Sequence, residues 1–297
     1  MSDSKYSNQE TYKAIADKYK KQGDYSRALE FYKKTLSIRE KVLEIGNPYF
    51  SESYFDIAEA YLRLGDLNKA LEFGNKALSV AEKIFGLGHP NIAFVCDLIG
   101  STYRDLNDFH SAIEFYNKAL VIMEDEFGPE HPEIAGTLSN IAVIFDKQGN
   151  FSQALELNNK ALAIREKVLG LDHLKTAASF LNISKVYTHK GDLNQALEFN
   201  NKALLIFEKV LGLAHPDTAG IYNNIAAIHA RLGDSDEALE SFLRAYRSYM
   251  NCPIINEAQT DVAFQNLYKC YIENVRTIMS LLHGYMICNT IKIKMQY

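Results

Sequence analysis

A short turn sequence that returns at one spacing constrains this chain more than any other feature. Gly149-Asn150-Phe151-Ser152-Gln153-Ala154-Leu155 comes back 42 residues later as Gly191-Asp192-Leu193-Asn194-Gln195-Ala196-Leu197, and after a further 42 as Gly233-Asp234-Ser235-Asp236-Glu237-Ala238-Leu239. Toward the N-terminus the same register holds Asn107-Asp108, Gly65-Asp66 and Gly23-Asp24, followed by Ala112, Ala70 and Ala28. Six copies at one period predict a tandem array, in which each unit packs on its neighbours and the core lengthens instead of thickening. The 297 residues therefore need no division into ordinary globular domains.

Each unit reads as two helices. In the first copy Tyr12, Ile15, Ala16 and Tyr19 recur at three- and four-residue steps, one face of a helix. Gly23 suits the left-handed residue that ends it, and Asp24 can cap the next helix. The same glycine–acid pair is expected to close and open helices at Gly65-Asp66, Gly191-Asp192 and Gly233-Asp234. Asn107 takes the glycine's place in its copy, and Asn150 the acid's. Gln153, Gln195 and Glu237 fall where a capping box needs them. The second helix carries the alanines named above, and seven residues beyond each comes Thr35, Ala77, Ala119, Ala161, Ala203 or Ala245. Small side chains two turns apart let helix backbones approach closely. This helix is long, as from Phe151 to Leu169. A loop then resets the chain: Gly86-Leu87-Gly88-His89-Pro90, Gly128-Pro129-Glu130-His131-Pro132, Gly170-Leu171-Asp172-His173-Leu174 and Gly212-Leu213-Ala214-His215-Pro216. Proline suits the first position of the following helix. Leu174 breaks that pattern, and its helix is expected to begin one residue later, at Lys175-Thr176.

The expected organisation is a flexible polar lead over residues 1–8, six repeats over 9–250, and a capping helix or helices with a tail over 251–297. Cys252-Pro253 breaks the last repeat helix. Beyond it Val262, Phe264, Leu267, Tyr268, Tyr271 and Val275 offer an apolar stripe that can cover the array's end or pair with another chain. The final Ile291–Tyr297 is too short and alternating to assign.

Composition excludes several function classes. The chain is 47% apolar and 23% charged with a net charge of -5, and it has no basic block, so nucleic acid is not an expected partner. No secretory leader follows Met1 and no apolar run is long enough to span a membrane. Cys96, Cys252, Cys270 and Cys288 lack metal-ligand spacing and read as reduced thiols. The loop histidines recur at the period of the array instead of clustering, which argues for structural roles over a metal. There is no Gly-rich phosphate loop, nucleophile elbow or HExxH helix, so no catalysis is expected and no cofactor is called for.

Tyr54…Ile57-Ala58, Leu138…Ile141-Ala142, Phe180…Ile183-Ser184 and Tyr222…Ile225-Ala226 follow a large–hydrophobic–small pattern in the first helices. Tyr19, Tyr61, Tyr103, Phe145 and Tyr187 add an aromatic one turn on, with His229 in the last copy. With the alanine columns and the phrase Ala161-Leu162-Ala163-Ile164-Arg165-Glu166-Lys167-Val168-Leu169-Gly170, the chain resembles the tetratricopeptide-repeat family over residues 9–250. The resemblance is to the 42-residue form found in kinesin light chains. Those proteins carry a heptad region ahead of their repeats. Here the first repeat starts by Gln9, so a light-chain-like scaffold is expected instead of a motor subunit.

The resemblance implies an all-α fold, a right-handed superhelical α-solenoid of tandem antiparallel helix pairs, with the first helices lining a concave groove. Nine residues before each turn lie Asp56, Leu98, Asn140, Asn182 and Asn224. A side-chain amide donates and accepts at once, so the asparagines can hold a peptide backbone; they can equally bond neighbouring helices. Asn223 extends that floor. Lys21, Arg63, Asp105, Lys147, His189 and Arg231 stand two residues before the turns, with Arg104 and Lys185 nearby, a mostly cationic column that suits a partner bearing carboxylates or simply faces solvent. Asn75, Asn117, Asn159 and Asn201, with Asn158 and Asn200, form another column in the second helices, where bonding between units would explain them. The expected function is a non-catalytic adaptor that grips a peptide or helix, with an architectural or self-associating scaffold as the alternative. The expected setting is cytoplasmic, including a host cytoplasm if the source is an intracellular bacterium.

Overall fold

The computed structural model describes residues 2–44, 47–252 and 260–273. They form α1 (Ser2–Lys21), α2 (Tyr25–Val42), α3 (Tyr49–Leu64), α4 (Leu67–Phe85), α5 (Pro90–Asp105), α6 (Phe109–Phe127), α7 (Pro132–Lys147), α8 (Phe151–Leu169), α9 (Leu174–Lys190), α10 (Leu193–Leu211), α11 (Pro216–Leu232) and α12 (Ser235–Met250). A further helix, α13, covers residues 260–273. Two compact units divide the chain, the first ending at Gln148 and the second beginning at Gly149. In the first, α1/α2, α3/α4 and α5/α6 are antiparallel pairs, α2, α4 and α6 lean on α3, α5 and α7, and α5 touches both α3 and α7. In the second, α9/α10 and α11/α12 are pairs, with α8 against α9 and α10 against α11. This is the expected all-α solenoid of tandem helix pairs.

The turns follow from their residues. Gly191 ends α9 at φ 93°, and Asn107 reaches the same left-handed region at φ 61°, which asparagine tolerates better than most residues. The side chains of Asp24, Asp66, Asp108 and Asn150 accept from the backbone N–H groups of Arg27, Lys69, Ser111 and Gln153 at 3.0–3.4 Å. Asp192 and Asp234, expected to cap alike, make no such bond. Lys190 draws the Asp192 carboxylate to 2.6 Å, and Asp234 lies 3.3 Å from His229 Nδ1. The capping boxes expected with Gln195 and Glu237 are therefore not formed, while Gln153 and Asn150 join through their side chains.

Two further boundaries differ from expectation. Helix α1 begins at Ser2, so the lead expected to be flexible extends the helix; it holds no glycine or proline that would stop helix propagating back from Gln9. Helix α9 begins at Leu174, not a residue later, because His173 caps it.

Ala28, Ala77, Ala112, Ala119, Ala154, Ala161, Ala196, Ala203, Ala238 and Ala245 are all fully buried. In the α5/α6 pair a bulky side chain of one helix is met by a glycine of the other. Tyr116 of α6 lies over Gly100 of α5 and donates to Ser101 Oγ at 3.0 Å. In the equivalent place of the α9/α10 pair, Asn200 donates to Ser184 and to the Ala196 carbonyl. Asn158 and Asn200 are buried, while Asn75, Asn117, Asn159 and Asn201 are exposed. The bonds Asn200 makes thus run within a pair, not between units.

Helix α13 keeps the array's register. Ala263, 42 residues after Ile221, is fully buried beside Ala219 and Tyr249, and the Phe264 ring lies 5.9 Å from Tyr246. The stripe expected to cover the array is turned mostly outward: Val262, Phe264, Tyr268 and Tyr271 are each about half exposed. The small Ala263 packs because it allows the close approach that the larger side chains would block. Val275, the break at Pro253 and the tail at Ile291–Tyr297 lie outside the described residues.

A Cβ on Gly100 would stand 2.9 Å from the Tyr116 ring, whereas one on Gly136 would meet nothing within 4 Å. Gly136→Ala is expected to stabilise by up to ~1 kcal/mol through helix propensity. Gly100→Val is expected to destabilise by ~1–3 kcal/mol through overpacking. Paired urea melts followed by circular dichroism check both signs.

Candidate functional site

The first helices of the first unit carry the expected polar column, but its members are largely engaged with one another. Lys13 of α1 reaches Asp56 of α3 at 3.0 Å, with Glu52 at 3.4 Å and Asp17 at 3.5 Å. Leu98 is buried. Asn140 of α7 accepts from Arg104 at 3.0 Å, and its amide stands 3.5 Å from both carboxylate oxygens of Asp97, which also accepts from Thr137 at 2.7 Å. Arg104 also meets Asp105 at 2.9 Å. Lys147 lies 3.5 Å from Asn107 and 5.9 Å from the centre of the Phe109 ring. Asn140, Arg104 and Lys147 therefore bridge adjacent repeats. Arg63 lines a recess of about 240 Å³ with Asn140, Glu59, Asp97 and Glu133. The Glu59 carboxylate is bonded by Lys20.

In the second unit the floor is different. Asn182, Lys185, Asn224 and Arg231 come together around a recess of about 370 Å³. Leu181, Ala227 and Ile228 give it an apolar side, and Ser184, Thr188 and Asn200 complete its polar lining, with no carboxylate among the lining residues. Arg231 donates to the Thr188 carbonyl at 3.1 Å, which leaves the rest of its guanidinium toward solvent. Asn200 is 3% exposed, and its Oδ1 is buried without a hydrogen-bond partner. Asn223 is not part of this floor. Its side chain lies near the Tyr249 hydroxyl of α12, and its Oδ1 is buried without a hydrogen-bond partner.

Two functional classes of residue escaped the sequence reading. His89, His131, His173 and His215 are helix N-caps, each Nδ1 accepting the N–H two residues on at 3.0–3.4 Å. The accepting nitrogen requires the tautomer protonated at Nε2. The signal was present in the spacing, since each histidine immediately precedes the helix start. Arg39 and Arg165 are buried cations. Arg39 Nη1 bonds the Tyr49 carbonyl and Glu52 at 2.9 Å and Ser53 at 2.7 Å, and Arg165 Nη1 bonds Ser179 at 2.6 Å. They pin the end of a second helix to the start of the next first helix. Nothing in a charged residue's identity announces that it is inside.

Burial pushes the Asp56 carboxyl up to about 6, against the opposing pull of Lys13. Burial also raises Asp97. A carboxyl with a folded-state pKa above its unfolded value binds its proton more tightly when native, so stability falls as pH rises from about 4 through about 6. Lowering the pH from 7 to 5 is expected to return on the order of 1 kcal/mol from Asp56. Asp56→Asn should remove that share of the gain, because Lys13 keeps Glu52 and Asp17. Urea unfolding of both chains at the two pH values measures the difference.

No described helix is both long and apolar enough to cross a membrane. No curated protein matches the chain. Among solved structures it is similar to BtubC (BKLC) from P. vanneervenii, with 23% identity over 75% of this chain and 87% of that one and a TM-score of 0.60. It is similar to a Podosopora anserina putative kinesin light chain with nearly identical TPR-like repeats, with 22% identity over 68% and 95% and a TM-score of 0.56. It also resembles the apo form of RapI, at 15% identity over 92% and 99% with a TM-score of 0.59. The tetratricopeptide-repeat family matches residues 11–49 and, in overlapping stretches, 49–125, 97–167, 133–204 and 175–251. Matched across nearly all of its helix pairs, the chain belongs to the tetratricopeptide-repeat family.

Proposed function

We propose that this chain is a non-catalytic adaptor that holds a peptide or helical segment along its first helices, with repeats of the kinesin-light-chain-like form. The 42-residue period and the likeness to the fungal light-chain repeats support that form. One observation carries the binding mode: the recess of the second unit is lined by amides, hydroxyls and two cations, with no carboxylate. Asn182 and Asn224 can each offer a donor and an acceptor to a peptide bond, and Lys185 and Arg231 suit an acidic side chain. A fluorescein-labelled peptide with a central Glu-Asp-Glu is expected to raise anisotropy saturably, and more weakly as salt increases. The Lys185→Ala/Arg231→Ala chain should bind it about tenfold less tightly. Equal binding by a folded double variant would refute the assignment.

The exposed row Phe264, Tyr268 and Tyr271 on α13 favours a second reading, a scaffold that pairs through this helix. The Phe264 and Tyr268 rings stack 6.3 Å apart and present one apolar surface. Under this reading light scattering gives a dimer mass for the full chain and a monomer mass for Phe264→Ser/Tyr268→Ser/Tyr271→Ser. A full chain that is monomeric at high concentration rules it out.

A further inference from the structure

The first unit holds a second opening on the same face, with a different chemistry. Phe55, Phe85 and Phe94 wall a recess of about 460 Å³ between the starts of α3 and α5 and the end of α4, with the buried Val95 among its lining residues. Phe55 and Phe94 also wall the smaller recess that contains Glu59 and Asp97. The two openings thus share a partition. One side is mainly apolar, with Glu52 and Asn91 also in its lining; the other is richer in carboxylates, where Glu59, Asp97 and Glu133 stand with Arg63. Asp97 is bonded only by neutral groups, the Thr137 hydroxyl and the Asn140 amide. Burial raises its pKa against the opposing pull of these bonds and of Arg104. Arg104 acts on Asp97 only across Asn140, and Arg63 lines the same recess without bonding it; a ligand cation could bond Asp97 directly, and the partition's ring faces would favour it as well.

We propose that the first unit docks an extended segment in which a bulky apolar side chain fills the Phe55/Phe85/Phe94 recess and an adjacent lysine or arginine reaches Asp97 across the Phe55–Phe94 partition. The proposal rests on the groove reading above and gives this unit the opposite charge preference to the second. An acidic segment is disfavoured here because Asp97 and Glu59 would face it. A metal is disfavoured because Lys20 already bonds Glu59 and no group of metal-ligating side chains occurs among the described residues.

The test uses the full chain and three fluorescein-labelled peptides. One is Gly-Ser-Gly-Trp-Lys-Lys-Gly-Ser-Gly, one has serine in place of tryptophan, and one has Glu-Glu in place of Lys-Lys. The first is expected to bind saturably and the serine form about tenfold more weakly. Asp97→Asn and Phe94→Ser should each weaken the first peptide about tenfold. Lys185→Ala/Arg231→Ala should leave it unchanged. Asp97→Asn keeps the bonds from Thr137 and Asn140, and a thermal melt confirms its fold. Three results would overturn the proposal: no saturation by about 1 mM, no effect of Asp97→Asn, or Phe94-dependent binding of the Glu-Glu form as tight as that of the Lys-Lys form. If the first peptide fails while Lys185 and Arg231 still capture an acidic one, this proposal falls and the groove reading stands; if both fail, both fall.

Discussion

Close approach of paired helices at small side chains is the constraint on which the rest of this protein depends. With Ala112 and Ala119, Ala154 and Ala161, or Ala196 and Ala203 fully buried, helix axes can come near enough for large residues elsewhere to interlock. Only then do Tyr61 and Phe73 stack at 5.7 Å, or Tyr187 and Phe199 at the same separation. The first helices are held side by side as a result, and their outward residues become a surface. No single repeat could bury these faces alone, so that surface is a property of stacking and not of any one repeat.

The period made the fold legible. Turn residues, alanine columns and the aromatic one turn beyond them all act through local geometry or through a neighbour at constant offset, and both leave a mark on the sequence. The polar column was legible as an address and much less as chemistry. Asn140, Asn182 and Asn224 occupy one column, yet Asn140 is tied to Arg104 and Asp97 while Asn182 and Asn224 line an open recess. The difference is made by residues elsewhere on the helices, chiefly Asp97 and Arg104, which break the repeat. Departures from periodicity decide which members of the column are engaged and which line a recess, and a periodic reading is blind to them.

Caps and buried charges illustrate the same limit. The recurring histidines were visible, but their acceptor role depends on which ring nitrogen faces the helix start. Asp192 and Asp234 sit where four other residues cap, and each is diverted by a cation or imidazole only two to five positions away. Arg39 and Arg165 share a register, and both find a serine in the following helix, Ser53 and Ser179. These interactions compete locally, and a weak preference at one position is overruled by a stronger partner nearby.

The pairing of Gly100 with Tyr116 bears on how such a chain grows. Both members lie within one helix pair, as do Ser184 and Asn200, so a duplication that copies a whole pair copies the compensation with it. Recombination that cut between the two helices would instead leave Asn200 without the Ser184 hydroxyl it bonds, or set Tyr116 against a side chain larger than Gly100. The pair is thus the smallest heritable block that can be inserted or lost without an immediate packing defect. Within such a block the outward residues are free to differ, as Asp97 and Arg104 differ from Leu181 and Thr188 at the same register two repeats on.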